Sequence, residues 1–263
     1  MSDKTNTTRK AQRKQYMFAL RQMVSRGIKK KYARSYLGIV WSVLNPLMMM
    51  ALMSMIFTTV FKRSIENYPI YYLTGMIFWD VFSGATTTSM TALVDNKSLL
   101  IKVKLPKQIF VVSRVAMSLV NFGYTSIAYV FMLIVFQIKP TVYMLLFPIP
   151  LFFLLLFSTG VSYILSIAYV HFADVKHLYS VFMRMLMYMS ALFYPIERVA
   201  PVLQEIIKMN PVHSYIYFAR QCVMYGRCPE LSVWVQMIVW SVGMFLIGYF
   251  VFKKKENTVM QKV

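Results

Sequence analysis

The chain alternates between long apolar runs and short basic gaps, and this alternation limits its fold more than any other feature. Residues 29–50, "KKKYARSYLGIVWSVLNPLMMM", show the pattern at its first occurrence: three lysines and an arginine lead directly into an apolar stretch. A helix that crosses the hydrocarbon core needs roughly 20 predominantly apolar residues. Six segments supply them, at 37–61, 70–94, 110–136, 151–170, 178–196 and 231–252. Composition agrees. Of the 263 residues 58% are apolar and only 14% charged, against about a quarter charged in an ordinary soluble domain.

A net charge of +20 raises the question of nucleic acid, but the positions of the charges decide against it. Eleven of the 29 Lys and Arg lie in the first 34 residues, and most others fall in the gaps between apolar runs. With the N-terminus inside, the pieces on the cytoplasmic side carry 22 of the 29 and the external pieces 7, the latter offset by Glu66, Glu197, Glu205 and Glu230. That is the positive-inside rule. An even number of spans also returns the lysines at 253–255 to the inside. The first apolar run is too long for a signal-peptide core and lacks a small-residue cleavage site, so it is expected to stay in the protein.

The expected fold is an all-α membrane protein of the cytoplasmic membrane, multi-pass, with both termini cytoplasmic. Residues 1–36 form a cytoplasmic N-terminal segment, 37–252 a six-span domain and 253–263 a basic tail. Within the first segment, Tyr16, Leu20, Met23 and Val24 recur at helical spacing opposite a basic face, which predicts an amphipathic interfacial helix. Between spans five and six, prolines 201, 211 and 229 cut residues 197–230 into two apolar stretches, 202–209 and 212–225. At 1.5 Å per residue these reach roughly 12 and 21 Å, too short to cross, and they read as re-entrant helices dipping into the outer leaflet or lying on it, the alternative being an ordinary external loop. Residues 141–150, with Pro148 and Pro150, read as a lead-in to span four.

Three features inside the spans bear on function. Pro46 cannot donate to the carbonyl of Ser42, so the first span is expected to kink there, with Asn45 and Ser42 near the freed group. Asp80 lies roughly 15 Å into the second span and is the one carboxylate within the spans. An ionisable group at that depth is a functional candidate, with Arg184 of span five as a candidate partner. The small and hydroxyl residues "SGATTTSMT" at 83–91 suit close helix packing. Cys222 and Cys228 fall on the external side, as a disulfide or as free thiols. The three histidines are dispersed, so no metal site is expected. No glycine begins a GxxxxGK[ST] phosphate loop.

The stretch "KKKYARSYLGIVWSVLNPL", through Lys31, Tyr32, Ser35, Leu37, Gly38, Trp41, Asn45 and Pro46, resembles the start of membrane subunits of ABC-2-type exporters of cell-surface polysaccharides, the O-antigen, teichoic acid and capsule transporters. "KLPKQIFVVSR" after span two and "YPIERVAPVLQEIIKMNPVHSYIYFAR" after span five are also similar to that family, so the likeness covers nearly the whole chain. It implies a homodimer joined by two copies of a separate ATPase, which would hold the ATP and magnesium; this chain would carry no cofactor and catalyse nothing itself. The substrate would be a lipid-linked polysaccharide moving outward.

On this resemblance, the first and fifth spans line a sugar path, with Trp41, Asn45, Tyr188, Phe193 and Tyr194 as its lining. Lys29, Lys30, Lys31 and Arg34 stand at headgroup level for a lipid pyrophosphate, or serve only as positive-inside anchors. Residues 95–109 become the segment that couples to the ATPase, with Leu99, Leu100, Val103 and Lys104 in contact, unless that loop only fixes topology. Leu37, Gly38, Pro195, Asn210 and Pro211 belong to gating loops. Near Asp80 the resembled family more often has a neutral polar residue. Two other classes fit less well. An ion-coupled transporter needs more titratable groups in its spans, and an integral-membrane enzyme of lipid-linked sugars needs clustered carboxylates, which this chain lacks.

Overall fold

The computed structural model describes residues 2–33, 35–60, 65–102 and 105–262, with side chains described between 12 and 258 apart from 58 and 60. Helices follow one another as α1 Ser2–Tyr32, α2 Trp41–Val60, α3 Tyr68–Met90, α4 Ala92–Asp95, α5 Lys97–Lys102, α6 Gln108–Val135, α7 Pro148–His171, α8 Val175–Tyr188, α9 Pro201–Met209, α10 Pro211–Val223 and α11 Leu231–Lys262. No strand occurs among the described residues. Among the described residues four stretches are long and apolar enough to cross a membrane: Gly38–Phe57, Gln108–Val135, Val142–His171 and Leu231–Thr258. The third joins the lead-in segment to α7 through a 3-10 turn at Val142–Leu146.

The other two expected spans differ from these four in instructive ways. α3 has 23 residues, enough to cross, but its second half carries the run of Ser, Gly, Ala and Thr that lowers its apolar content. The run at 178–196 is helical only to Tyr188, where α8 ends after 14 residues. Residues 189–194 are turns and bends.

α3 is the axis of the protein. Ile70, Tyr72, Phe78, Ala85, Thr86 and Ser89 are fully buried because α6, α7, α10 and α2 surround it. Its polar atoms find partners across these contacts: the Thr74 and Tyr129 hydroxyls lie 2.7 Å apart, and the Tyr179 hydroxyl donates to Thr86 Oγ1 at 2.7 Å. Ala85, Thr86 and Ser89 therefore do the packing expected of the run 83–91, whereas Thr87 and Thr88 are exposed. α7 and α11 touch backbone to backbone. A Cβ on Gly160 would stand 2.3 Å from the Met244 carbonyl oxygen, and one on Gly248 2.2 Å from the Gly160 carbonyl oxygen, so only glycine permits this crossing.

A second, smaller core lies at the other end, where Leu93, Leu100, Ile109, Phe110 and Phe252 are buried. Tyr16, Leu20 and Met23 of α1 pack against it. The apolar face read from the sequence thus meets the protein itself, while Met17 and Phe18 stay exposed.

The two short helices end within two residues of their expected limits. Each has Pro at its first position, where the missing N–H costs nothing. Asn210 caps the second, its Oδ1 accepting from Val212 N at 3.0 Å. α9 is mostly exposed, but Val212, Tyr215, Ile216, Phe218, Ala219 and Cys222 of α10 are fully buried. α10 is a core element packed on α3, α7 and α11, not a helix lying on a surface. Cys222 and Cys228 are both free, the first buried and the second exposed.

Candidate functional site

Pro46 opens the first candidate region. With no N–H at Pro46 the carbonyl of Ser42 loses its helical partner, and the Thr125 hydroxyl of α6 approaches it at 3.5 Å while also lying 3.1 Å from Asn121 O. Around this point α1, α2, α3 and α6 enclose a polar cavity of about 470 Å3. Lys31, Trp41, Asn45, Asp80, Ser118 and Asn121 face it, with Tyr32, Ser42 and Ser83. Asn121 is its organising group: Oδ1 accepts from Lys31 Nζ at 3.2 Å and from the Tyr32 hydroxyl at 3.3 Å, and that phenol is also bonded to the Ser42 hydroxyl. The cavity therefore offers an ammonium, a carboxylate, two amides, several hydroxyls and an indole. That set matches hydroxyls and C–H faces of a sugar, with a cation at one side for a phosphate.

Asp80 and Lys31 both line this cavity, and Arg184, the partner expected for Asp80, does not. Arg184 is exposed on α8 and donates to Ser180 O, one turn back on its own helix, at 3.4 Å.

The second region is the break after α8. Residues 189–194 are out of helical register, with Ala191 at φ 49°, yet Ser190, Ala191, Leu192 and Phe193 are buried. Buried carbonyls must be satisfied, and side chains from two other elements do this. Asn210 Nδ2 donates to Met189 O at 3.0 Å and to Ser190 Oγ at 3.0 Å. The Tyr68 hydroxyl donates to Phe193 O at 3.0 Å, and the Tyr71 hydroxyl lies 2.8 Å from Tyr194 O and 3.2 Å from Ala191 O. Arg220, 3% exposed on α10, completes the set: Nη1 donates to Ala191 O at 2.9 Å and Nη2 to Leu192 O at 3.1 Å. Its Nε and Nη2 also reach Tyr71 O at 3.2 and 3.1 Å. Gly75 makes room for it, since a Cβ there would stand 2.7 Å from Nη2.

Within this break Phe193 is buried against Tyr72 and Tyr188, with ring centroids 6.0 and 5.7 Å away. The Tyr194 hydroxyl donates to Tyr188 O at 2.5 Å. Pro195 then leads into the 3-10 turn Ile196–Arg198.

The third region is the linker between α3 and α6. α4 is held to α6 by Arg114 Nη2, 3.2 Å from Asp95 Oδ2, and the Lys107 ammonium donates to the Glu256 carbonyl of α11. Leu99 is half-buried and Leu100 is 6% exposed in the small core, whereas Ile101 is 64% exposed. Among the described residues of this segment the apolar side chain presented outward is Ile101; Leu100 faces inward because it completes the core beside Ile109 and Phe110. Val103 and Lys104, and likewise Arg34, lie outside the described residues.

The sequence profile of the family described as ABC-2 type transporter matches residues 19–224. This chain belongs to the ABC-2 type transporter family. The chain is 26% identical to the O-antigen export system permease protein RfbA of Myxococcus xanthus over 252 residues, 95% of this chain and 96% of that protein. It is 28% identical to a Klebsiella pneumoniae protein of the same name over 91% of this chain and 93% of that one. The polysialic acid transport protein KpsM of Escherichia coli is 19% identical over 89% of this chain and 92% of its own.

In this ABC-2 type transporter the sequence-predicted path residues form two groups. Trp41 and Asn45 share the polar cavity with Lys31, while Tyr188, Phe193 and Tyr194 cluster at the break. Lys29 and Lys30 are exposed at the end of α1. Leu37 is exposed, and Gly38, at φ 49°, opens the 3-10 turn Gly38–Val40 that separates α1 from α2. Asn210 and Pro211 sit at the start of α10 as described. Sequence reasoning missed Asn121, Thr125, Tyr68, Tyr71 and Arg220. Two had a signal: Asn121 is the one amide in the run 110–136, and Arg220 is a cation inside an apolar helix.

Proposed function

We propose that this chain is the membrane-spanning permease subunit of an ATP-driven transporter that exports a lipid-linked cell-surface polysaccharide, of O-antigen, teichoic acid or capsule type, across the cytoplasmic membrane. The observation that carries the proposal is the near full-length similarity to a permease and a transport protein named for two different polysaccharides, O-antigen and polysialic acid. The polar, indole-lined cavity at Pro46 supports it chemically.

In this reading the chain crosses six times. α3 is the second crossing, and α8 with the break after it is the fifth; the termini are cytoplasmic. Two copies pair, and the apolar residues that one copy leaves exposed on α2 (Met48, Leu52, Met55) and on α8 (Leu178, Val181, Met185) face the path, the partner or lipid. Lys29, Lys30 and Lys31 attract the diphosphate of the lipid carrier, and Lys31 delivers it to the cavity where Trp41, Asn45, Asp80 and Asn121 meet the first sugars. Tyr188, Phe193 and Tyr194 line the outer end. ATP and magnesium are held by two copies of a separate ATPase, which docks on the linker at 95–109 with Ile101 in its apolar socket.

Deletion of the gene tests this. The expected result is loss of surface polymer with lipid-linked glycan retained on the cytoplasmic face, restored by the wild-type copy. Normal surface polymer in the deletion strain would contradict it.

A further inference from the structure

Arg220 is a buried cation with no carboxylate. The ion pairs among the described residues are Arg114 with Asp95 and Lys208 with Glu205. Burying a charge is costly unless hydrogen bonds satisfy it, and here the bonds go to neutral carbonyls of two separate bodies. One is Tyr71, in the first turn of α3. The other is the pair Ala191 and Leu192 in the break of the fifth crossing. The guanidinium carbon also lies 3.4 Å from the centroid of the Tyr71 ring. Three elements that are far apart in the sequence thus converge on one side chain.

The chemistry of the group fits a fastener more than a filler. A planar guanidinium presents several donors in a fixed fork, so it can hold carbonyls that point in different directions at once. A non-helical segment of span five has carbonyls that no helix satisfies. If Arg220 withdraws, Leu192 O loses its described side-chain donor and the break is free to rearrange, taking Phe193 and Tyr194 with it. The same withdrawal removes the hydrogen bonds by which α10 holds the backbone of α3. One side chain therefore ties three elements together, and its release would untie them.

We propose that Arg220 is a positioning residue: a latch that joins α10 to the break and to α3, and holds the outer end of the path closed at rest. This rests on the reading of Tyr188, Phe193 and Tyr194 as the path's outer lining. The residue acts on the aromatic side chains through the backbone that carries them, and touches no substrate.

The test uses the complete permease–ATPase complex in vesicles loaded with radiolabelled mannitol, without nucleotide and without glycan. Arg220→Met keeps an unbranched apolar stem and removes every donor. It is expected to raise passive mannitol efflux about tenfold or more, the factor that ~1.4 kcal/mol of lost closure corresponds to. Arg220→Lys keeps the charge without the fork and is expected to fall between that variant and wild type. Tyr215→Phe is the structural control. It removes the bond from the Tyr215 hydroxyl to Ser241 Oγ, loosening α10 on its other side while leaving the carbonyls of the break in place. Phe193→Ala is the control for the path, since it removes a lining ring with Arg220 intact.

Efflux through Arg220→Met but not through Tyr215→Phe, at equal loss of melting temperature, supports the latch. Equal efflux through both assigns Arg220 a merely structural role and overturns the proposal. Efflux through Phe193→Ala with none through Arg220→Met overturns the latch alone. No efflux through either overturns the reading of the path, and the latch with it.

Discussion

The guanidinium carbon of Arg220 stands 3.4 Å from the centre of the Tyr71 ring, while two nitrogens of the same group donate to the Tyr71 carbonyl. Tyr71 thus holds the arginine by its face and its backbone, and uses its hydroxyl for Tyr194 O and Ala191 O. These contributions separate on mutation. Tyr71→Phe loses the hydroxyl bonds and is expected to cost about 1 kcal/mol. Tyr71→Leu also loses the ring beneath the cation, for roughly a further 2 kcal/mol at a desolvated site. Denaturant unfolding of the detergent-solubilised protein measures both; equal losses would show that the ring contributes nothing beyond its hydroxyl.

Glycine spacing along α11 gives a second prediction. Gly248→Ala brings a methyl group within 2.2 Å of the Gly160 carbonyl oxygen, where the obstacle is backbone and cannot swing aside. A cost of about 3 kcal/mol or more is expected, the upper range for overpacking. Gly243, on the same helix, has nothing within 4 Å of a built Cβ. Gly243→Ala should be neutral or stabilise by up to ~1 kcal/mol. Thermal unfolding of the two variants should therefore move in different directions, or differ by several degrees.

His213 makes stability depend on pH. It lies on α10, outside the crossing helices, and is buried with no hydrogen bond on Nδ1. Burial first, and the charge of Arg220 second, push its imidazole down to about 4 from an ordinary 6.5. Lys208 acts in the same sense, against a backbone bond near Ser190. Between pH 6.5 and 4 the unfolded chain binds a proton that the folded chain refuses. This contribution to stability is complete above pH 6.5 and is lost as pH falls towards 4, by up to about 3 kcal/mol. Melting temperatures from pH 7.5 to 4.5 should drop, and His213→Gln should flatten that part of the profile. An unchanged profile would rule out a buried neutral imidazole.

The two neighbours Leu100 and Ile101 should behave differently. Leu100→Asp buries a carboxylate in the small core and is expected to prevent folding. Ile101→Asp alters an exposed side chain, so the protein should fold and insert normally but fail to co-purify with the proposed ATPase. Co-purification at the wild-type level would remove Ile101 from the docking surface.

Much of this architecture is legible in the sequence, because apolar runs and proline positions act locally. The limits of α9 and α10, the lead-in to α7 and the apolar face of α1 follow from Pro201, Pro211, Pro148 and the spacing of Tyr16, Leu20 and Met23. The break after Tyr188 is not legible, since "MSALFYP" is as apolar as a helix would be. What permits it is a set of donors from Tyr68, Tyr71, Asn210 and Arg220, and partnerships between positions up to 149 residues apart leave no mark on local pattern. That Asp80 and Lys31 share a cavity is hidden for the same reason: Pro46 and Asn121 line it from two other helices. The inward turn of Leu100 depends on where Ile109 and Phe110 return in space, which spacing within 95–109 cannot express.

The most direct test of the central claim is translocation in vesicles that contain only this permease and its ATPase, supplied with lipid-linked glycan on the face where ATP is added. The account predicts that the glycan becomes protected on the opposite face in step with ATP hydrolysis, and that the permease without the ATPase moves nothing. Movement by the permease alone, driven by a proton or sodium gradient, would contradict it.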